Sequence, residues 1–83
     1  MREVEKATEM MIKYLGGREN ISHYTHCMTM LRFRVIDPAQ VDIKGIEGLA
    51  GVKGTLEMGE RVHVVIGSEV VEYDEAIKKP LGR

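Results

Sequence analysis

Apolar positions recur along this chain in two rhythms. From Val4 to Tyr14 they return every three or four residues (Val4, Ala7, Met10 or Met11, Tyr14), with Glu3, Glu5, Glu9 and Lys13 on the other side. That spacing predicts an amphipathic helix over 3–15. Glu3 and Glu5 sit near the positive end of its dipole, and Gly16-Gly17 stops it, because glycine takes the left-handed cap without steric cost. From Leu31 the rhythm changes to two. Leu31, Phe33 and Val35 alternate with Met30, Arg32 and Arg34, which predicts a strand over 29–36 with the apolar three on one face and the other three on the opposite face. Asp37-Pro38 ends it, since proline cannot donate to the ladder. The stretch 20–26 alternates poorly, and Ile21, Tyr24 and Thr25 point to an irregular or bulged strand there.

Asp42 is placed to cap a short helix over 43–49, with Ile43, Ile46 and Leu49 inward and two helix-weakening glycines, Gly45 and Gly48. A hairpin follows: 52–57 and 61–66 flank Met58-Gly59-Glu60, with Val62, Val64 and Ile66 expected to face the core and His63 to face away. Ser68 is expected to cap a last helix through Lys79, with Val70 or Val71, Asp74 and Ile77 marking its turns and Pro80 ending it. The order helix, strand, strand, short helix, strand, strand, helix implies an α+β two-layer domain. Two hairpins form a mostly antiparallel four-stranded sheet, and the helices cover one face. Residues 1–83 read as one domain, with 79–83 as a tail or the start of a linker.

Composition narrows the classes of function. With 12 Lys and Arg against 13 Asp and Glu, the formal net charge is -1, so no global field draws in nucleic acid and any basic site is local. No apolar run approaches the roughly 20 residues that span a bilayer, and Arg2, Glu3, Glu5 and Lys6 are too charged for a signal peptide. A single cysteine makes no internal disulfide, so a reducing cytoplasm is expected.

The chemistry gathers at Thr25-His26-Cys27-Met28-Thr29-Met30-Leu31-Arg32-Phe33-Arg34, which holds the only cysteine and one of the three histidines. Free cysteines are usually buried small hydrophobes. Cys27, however, sits in a polar turn between two strands, where unpaired backbone N–H groups and Arg32 would favour the thiolate. Arg32 and Arg34 are compatible with an ordinary solvated strand face; their position beside a thiol also suits phosphate oxygens. A metal set from His23, His26, Cys27 and His63 lacks an established spacing and a second ligand pair. A Cys–His hydrolase through His26 is awkward, because adjacent residues on an extended chain point apart.

Gly16-Gly17-Arg18-Glu19-Asn20-Ile21, His26-Cys27-x-Thr29-x-Leu31-Arg32-Phe33, Asp37-Pro38 and Val64-Val65-Ile66-Gly67 together resemble the enzyme IIB domain of the glucose/β-glucoside/sucrose-type bacterial sugar phosphotransferase system, over about Ile12 to Ile77. The family fold, an antiparallel four-stranded sheet with three helices on one face, matches the order above. The resemblance implies a phosphotransferase component without a cofactor or metal. Cys27 would accept a phosphoryl group from a phosphohistidine of enzyme IIA and pass it to a sugar held by the membrane enzyme IIC, at the inner face of the cell membrane. It further implies that Thr29 and the backbone of Met28, Thr29 and Met30 cradle the phosphate, with Arg32 as cationic partner and Arg34 as a further contributor. One departure stands out: the family motif reads Cys-x-Thr-Arg-Leu-Arg, and here the first arginine is Met30. The alternative is a regulatory IIB-like module that docks IIA without efficiently feeding a sugar.

Overall fold

The computed structural model describes residues 2–82. The chain runs α1 (Glu3–Tyr14), β1 (Ile21–His26), β2 (Met30–Val35), α2 (Ile43–Glu47), β3 (Gly54–Met58), β4 (Arg61–Val65) and α3 (Val70–Leu81), with short 3₁₀ turns at Arg18–Asn20 and Pro38–Gln40. The four strands form one sheet in the order β1-β2-β4-β3, and each neighbouring pair is antiparallel. The two hairpins therefore lie side by side, with β2 and β4 central. The expected irregularity in β1 is a register shift between Ile21 and His23.

The alternation predicted for β2 and β4 decides what each face does. Leu31, Phe33, Val35, Val62 and Val64 are buried under the helices, joined by Ala7, Met11 and Leu15 from α1, Ile46 from α2 and Val70, Tyr73, Ile77 and Leu81 from α3. Burying a side chain such as Phe33 contributes about 1.5–3 kcal/mol. Arg32, Arg34 and Arg61 lie exposed on the opposite, uncovered face. At the end of α1, the Gly16 N–H donates to the Lys13 carbonyl (3.1 Å) and the Gly17 N–H to the Ile12 carbonyl (2.9 Å), a Schellman cap made possible by Gly16 at φ 101°. Buried Asn20 ties that cap to the strands. Its Nδ2 donates to the Leu15 and Asp37 carbonyls (2.8 and 3.0 Å), and its Oδ1 accepts from the Asp37 N–H (2.8 Å).

Two expectations for α3 are corrected. Ser68 does not cap the helix: Glu69 holds the N-cap position, and no side chain there bonds the free N–H groups. Nor does Pro80 end it. The helix runs on to Leu81, past Pro80, and closes at Gly82 with φ 73°. Leu81 is buried in the core, and that burial favours keeping the last turn although Pro80 brings no N–H to it. Asp42 behaves as expected, its Oδ1 accepting from the Gly45 N–H at 2.9 Å.

Candidate active site

Cys27 sits at the tip of the β1–β2 hairpin. Its N–H donates to the Met30 carbonyl at 2.9 Å, which closes the turn around Met28 and Thr29. Neither central residue is glycine, and among the described residues no non-glycine has a positive φ, so this is not one of the primed turns that close a hairpin by their own geometry. It is held from outside. The Thr29 carbonyl accepts from the N–H groups of both Ile66 (2.8 Å) and Gly67 (2.9 Å), in the segment between β4 and α3.

With its carbonyl held by that segment, Thr29 turns its N–H toward the thiol. The Thr29 amide is the largest cause that holds the Cys27 thiol below its ordinary range. Partial burial opposes it, while the Met30 amide, the Thr29 hydroxyl and the charge of Arg32 act in the same direction as the Thr29 amide. The Thr29 Oγ1 lies 4.0 Å from Sγ. The thiol is partly buried and lines an open depression with His26, Met28, Ser68, Val70 and Val71. Two apolar side chains stand exposed around that depression, Met28 at 88% and Val71 at 59%.

The cations are arranged in rows across the open face. Arg32 lies between Thr25 and His63, and Arg34 between His23 and Arg61. Met30 lies beside Val65 in the row that holds Cys27. The nearest guanidinium position is thus one row away, about 6.6 Å along the strand, and Arg34 is two rows away, at about 13 Å. His63 faces the open side as expected. Burial, with Arg32 and Arg61 next, pushes its imidazole below the ordinary 6.5, which keeps it neutral beside Arg32 at pH 7. Among the described residues, no group of three or more His, Cys, Asp or Glu side chains converges as a metal site.

A lowered thiol in a braced turn, one row of the sheet away from an arginine, is an arrangement suited to an anionic group. The family model for phosphotransferase system EIIB matches residues 9–42, which include Cys27, Met30, Arg32 and Arg34. The chain is 37% identical over 75 residues, 90% of its length, to the β-glucoside-specific EIIBCA component of Bacillus subtilis. It is also 37% identical over 81 residues, 95% of its length, to the trehalose-specific EIIBC component of the same organism. It belongs to the EIIB family of the phosphotransferase system.

The EIIB chain spans only 12% and 17% of those two relatives. Its fold superposes on a solved domain of a PTS IIabc component from Clostridium difficile with a TM-score of 0.84 and 28% identity, covering 93% of this chain and 81% of that one. No helix among the described residues is long and apolar enough to cross a membrane. Within this EIIB domain, Cys27, Met28, Thr29 and Met30 come together in one turn, and Arg32 acts on the thiol through its charge. Arg34 lies further down the strand.

Beside the turn is a group that did not stand out in the sequence. Asp74, on α3, is 4% exposed. Its Oδ1 accepts from the Tyr24 hydroxyl at 2.5 Å and lies 3.2 Å from His26 Nδ1, while its Oδ2 lies 3.0 Å from Lys78 Nζ. Burial pushes this carboxyl up, but the Tyr24 and Lys78 hydrogen bonds and the neighbouring charges of His26 and Lys78 outweigh it and hold Asp74 below the ordinary 3.8. For Tyr24, burial first and then Asp74 push the phenol far above its usual 10.0. The available signal was a carboxylate on the inward stripe of an amphipathic helix, in step with Val70 and Ile77.

Proposed function

We propose that this EIIB domain carries a phosphoryl group on Cys27, from a phosphohistidine of an enzyme IIA to a sugar held by an enzyme IIC. The observation that supports it is the lowered thiol at a turn whose Thr29 and Met30 amides face Sγ. In the first step the Cys27 thiolate attacks phosphorus, the S–P bond forms as the N–P bond breaks, and the histidine, protonated on its other ring nitrogen, leaves as a neutral imidazole. In the second, a sugar hydroxyl oxygen attacks the same phosphorus, the S–P bond breaks, and the hydroxyl proton passes to a base on the acceptor side. The thiolate is regenerated. Throughout, the turn amides and Arg32 face the charge on the phosphoryl oxygens. Exposed Met28 and Val71 beside the thiol suit a docking contact with either partner. The designations EIIBCA and EIIBC of the relatives support partners of the IIC and IIA classes. Those two relatives are equally similar and are named for different sugars, so the acceptor is proposed only as a class.

The test is to mix the chain with phosphorylated enzyme IIA and weigh it. One added phosphoryl group on Cys27 is expected, and its absence would overturn the proposal. A second reading has one specific observation behind it: Met30, and no guanidinium, occupies the row of the thiol. On that reading the chain docks IIA and takes up phosphoryl but feeds a sugar poorly. Adduct formation without sugar phosphorylation, in the presence of the matching IIC, would favour it. Met30→Arg should then speed transfer to sugar more than it speeds loading. Equal rates for variant and parent would refute a role for Met30.

A further inference from the structure

One buried carboxylate ties the end of β1 to α3. Tyr24 and His26 alternate on the helix-facing side of β1, opposite Phe33 and Leu31, and both reach Asp74. His26 is the residue before Cys27. On the other side, the start of α3 and the segment before it supply Ser68, Val70 and Val71, which face the thiol across the depression. Asp74 therefore joins the strand end that delivers the nucleophile to the helix that forms the opposite wall. Phosphoryl transfer as proposed does not use it. As a device for stability alone it is a poor choice, because a well-packed apolar side chain often serves as well as a buried ion pair. A carboxylate holding three partners in fixed directions, however, sets an angle as well as a distance.

We infer that Asp74 is a positioning residue: by fixing Tyr24 and His26 against α3, it holds the β1–β2 turn where the Thr29 and Met30 amides meet Sγ and the phosphoryl group bound there. The inference rests on Cys27 being the phosphoryl carrier, but one arm of its test does not. The groups that face the Asp74 carboxylate are Tyr24 and His26 from β1 and Lys78 from its own helix. Loss of the carboxylate has two opposed effects on the thiol. Removing a nearby negative charge favours the thiolate and moves its titration to lower pH. Releasing the turn withdraws amide donors from Sγ and moves it to higher pH. The sign of the shift separates the two.

Cys27 is the only thiol in the chain, so the rate of alkylation by iodoacetamide against pH reads it directly. For Asp74→Asn in the full chain, folded by circular dichroism, the midpoint is expected to move to higher pH. Loading by phosphorylated enzyme IIA is expected to fall roughly 10- to 100-fold, the scale of a misplacement of about 1 Å. Tyr24→Phe removes one hydroxyl without changing any charge and should shift the midpoint the same way by less, which keeps the test available if Asp74→Asn does not fold. A midpoint that stays or moves to lower pH in both variants, with undiminished loading, would overturn the inference. If the parent chain accepts no phosphoryl group, the carrier role fails, while the alkylation profiles still decide what Asp74 does to the turn.

Discussion

The two hairpins of this sheet end in turns of opposite kinds. Between β3 and β4 the chain reverses through Gly59-Glu60, paired on either side by Met58 and Arg61. Gly59 takes φ 61° and Glu60 is not among the residues with a positive φ, the pattern of a II′ turn whose twist matches its strands. It is sustained by local geometry. Between β1 and β2 the reversal has no glycine. It is kept by contacts from the far end of the chain, the Ile66 and Gly67 amides on the Thr29 carbonyl and Asp74 on His26. The first turn uses its backbone on itself. The second is braced elsewhere and so has amides to spare for a thiol, and a hairpin can carry chemistry at its tip when its shape is maintained by something other than the tip.

The contrast can be broken most sharply by transplanting one turn chemistry onto the other. The double variant Met28→Asn, Thr29→Gly invites a I′ turn and should keep the fold. It should return Cys27 alkylation to a midpoint near the ordinary 9.0 and reduce loading by about 10²–10³-fold, the range seen when a preorganised donor is removed. Next comes the cation. Arg32→Gln removes a charge that acts on the thiol from one row away, so loading should fall by roughly 10–100-fold with a smaller upward shift of the thiol, read by the same two assays. The quiet hairpin should behave in the reverse way. Gly59→Ala forces a side chain into the left-handed region and should cost about 1–2 kcal/mol in denaturant unfolding, with loading and alkylation unchanged. A change in thiol reactivity there would mean that the two turns are coupled.

The smallest effect concerns pH. The Asp74 carboxyl is held below its ordinary 3.8 in the folded chain, so between the two values the unfolded chain binds the extra proton. The stability it contributes is present above about 3.8 and is lost as pH falls through the folded value. Asp74→Asn should remove that part of the acid dependence, measured as a flatter melting temperature between pH 4 and pH 2. An unchanged acid limb would mean that the carboxylate is not what ties β1 to α3 at neutral pH.

Most of the architecture was legible because its causes are local. The two-residue rhythm of Leu31, Phe33 and Val35 could only be a half-buried strand, and Gly16-Gly17 could cap α1 without reference to anything else. The thiol turn was half legible. Its polar residues and lack of strand partners pointed to free amides around Cys27, and the structure has them there. What braces them was not, since a carbonyl held by Ile66 and Gly67 is a backbone contact that leaves no trace in side-chain type. Asp74 was visible on the inward stripe of α3, but its partners Tyr24 and His26 lie about 50 residues earlier, and periodicity within a helix says nothing about what a distant strand presents. Pro80 misled for a related reason: its local cost was plain, and the burial of Leu81 that offsets it was not.

The braces on the turn also impose an order on how the site comes into being. The thiol is at residue 27, whereas Ile66, Gly67 and Asp74 follow it by 39 to 47 positions. At synthesis rates of about 5–20 residues per second, a nascent chain would expose Cys27 for roughly 2–10 s before its last brace is made. In that interval the first hairpin lacks its partner β4 as well as the bonds that aim its amides, so the thiol should keep the reactivity of an ordinary cysteine. Activation of the Cys27 thiol is then an event of completed folding, and on the proposed carrier role an unfinished chain would not intercept phosphoryl groups meant for the finished domain.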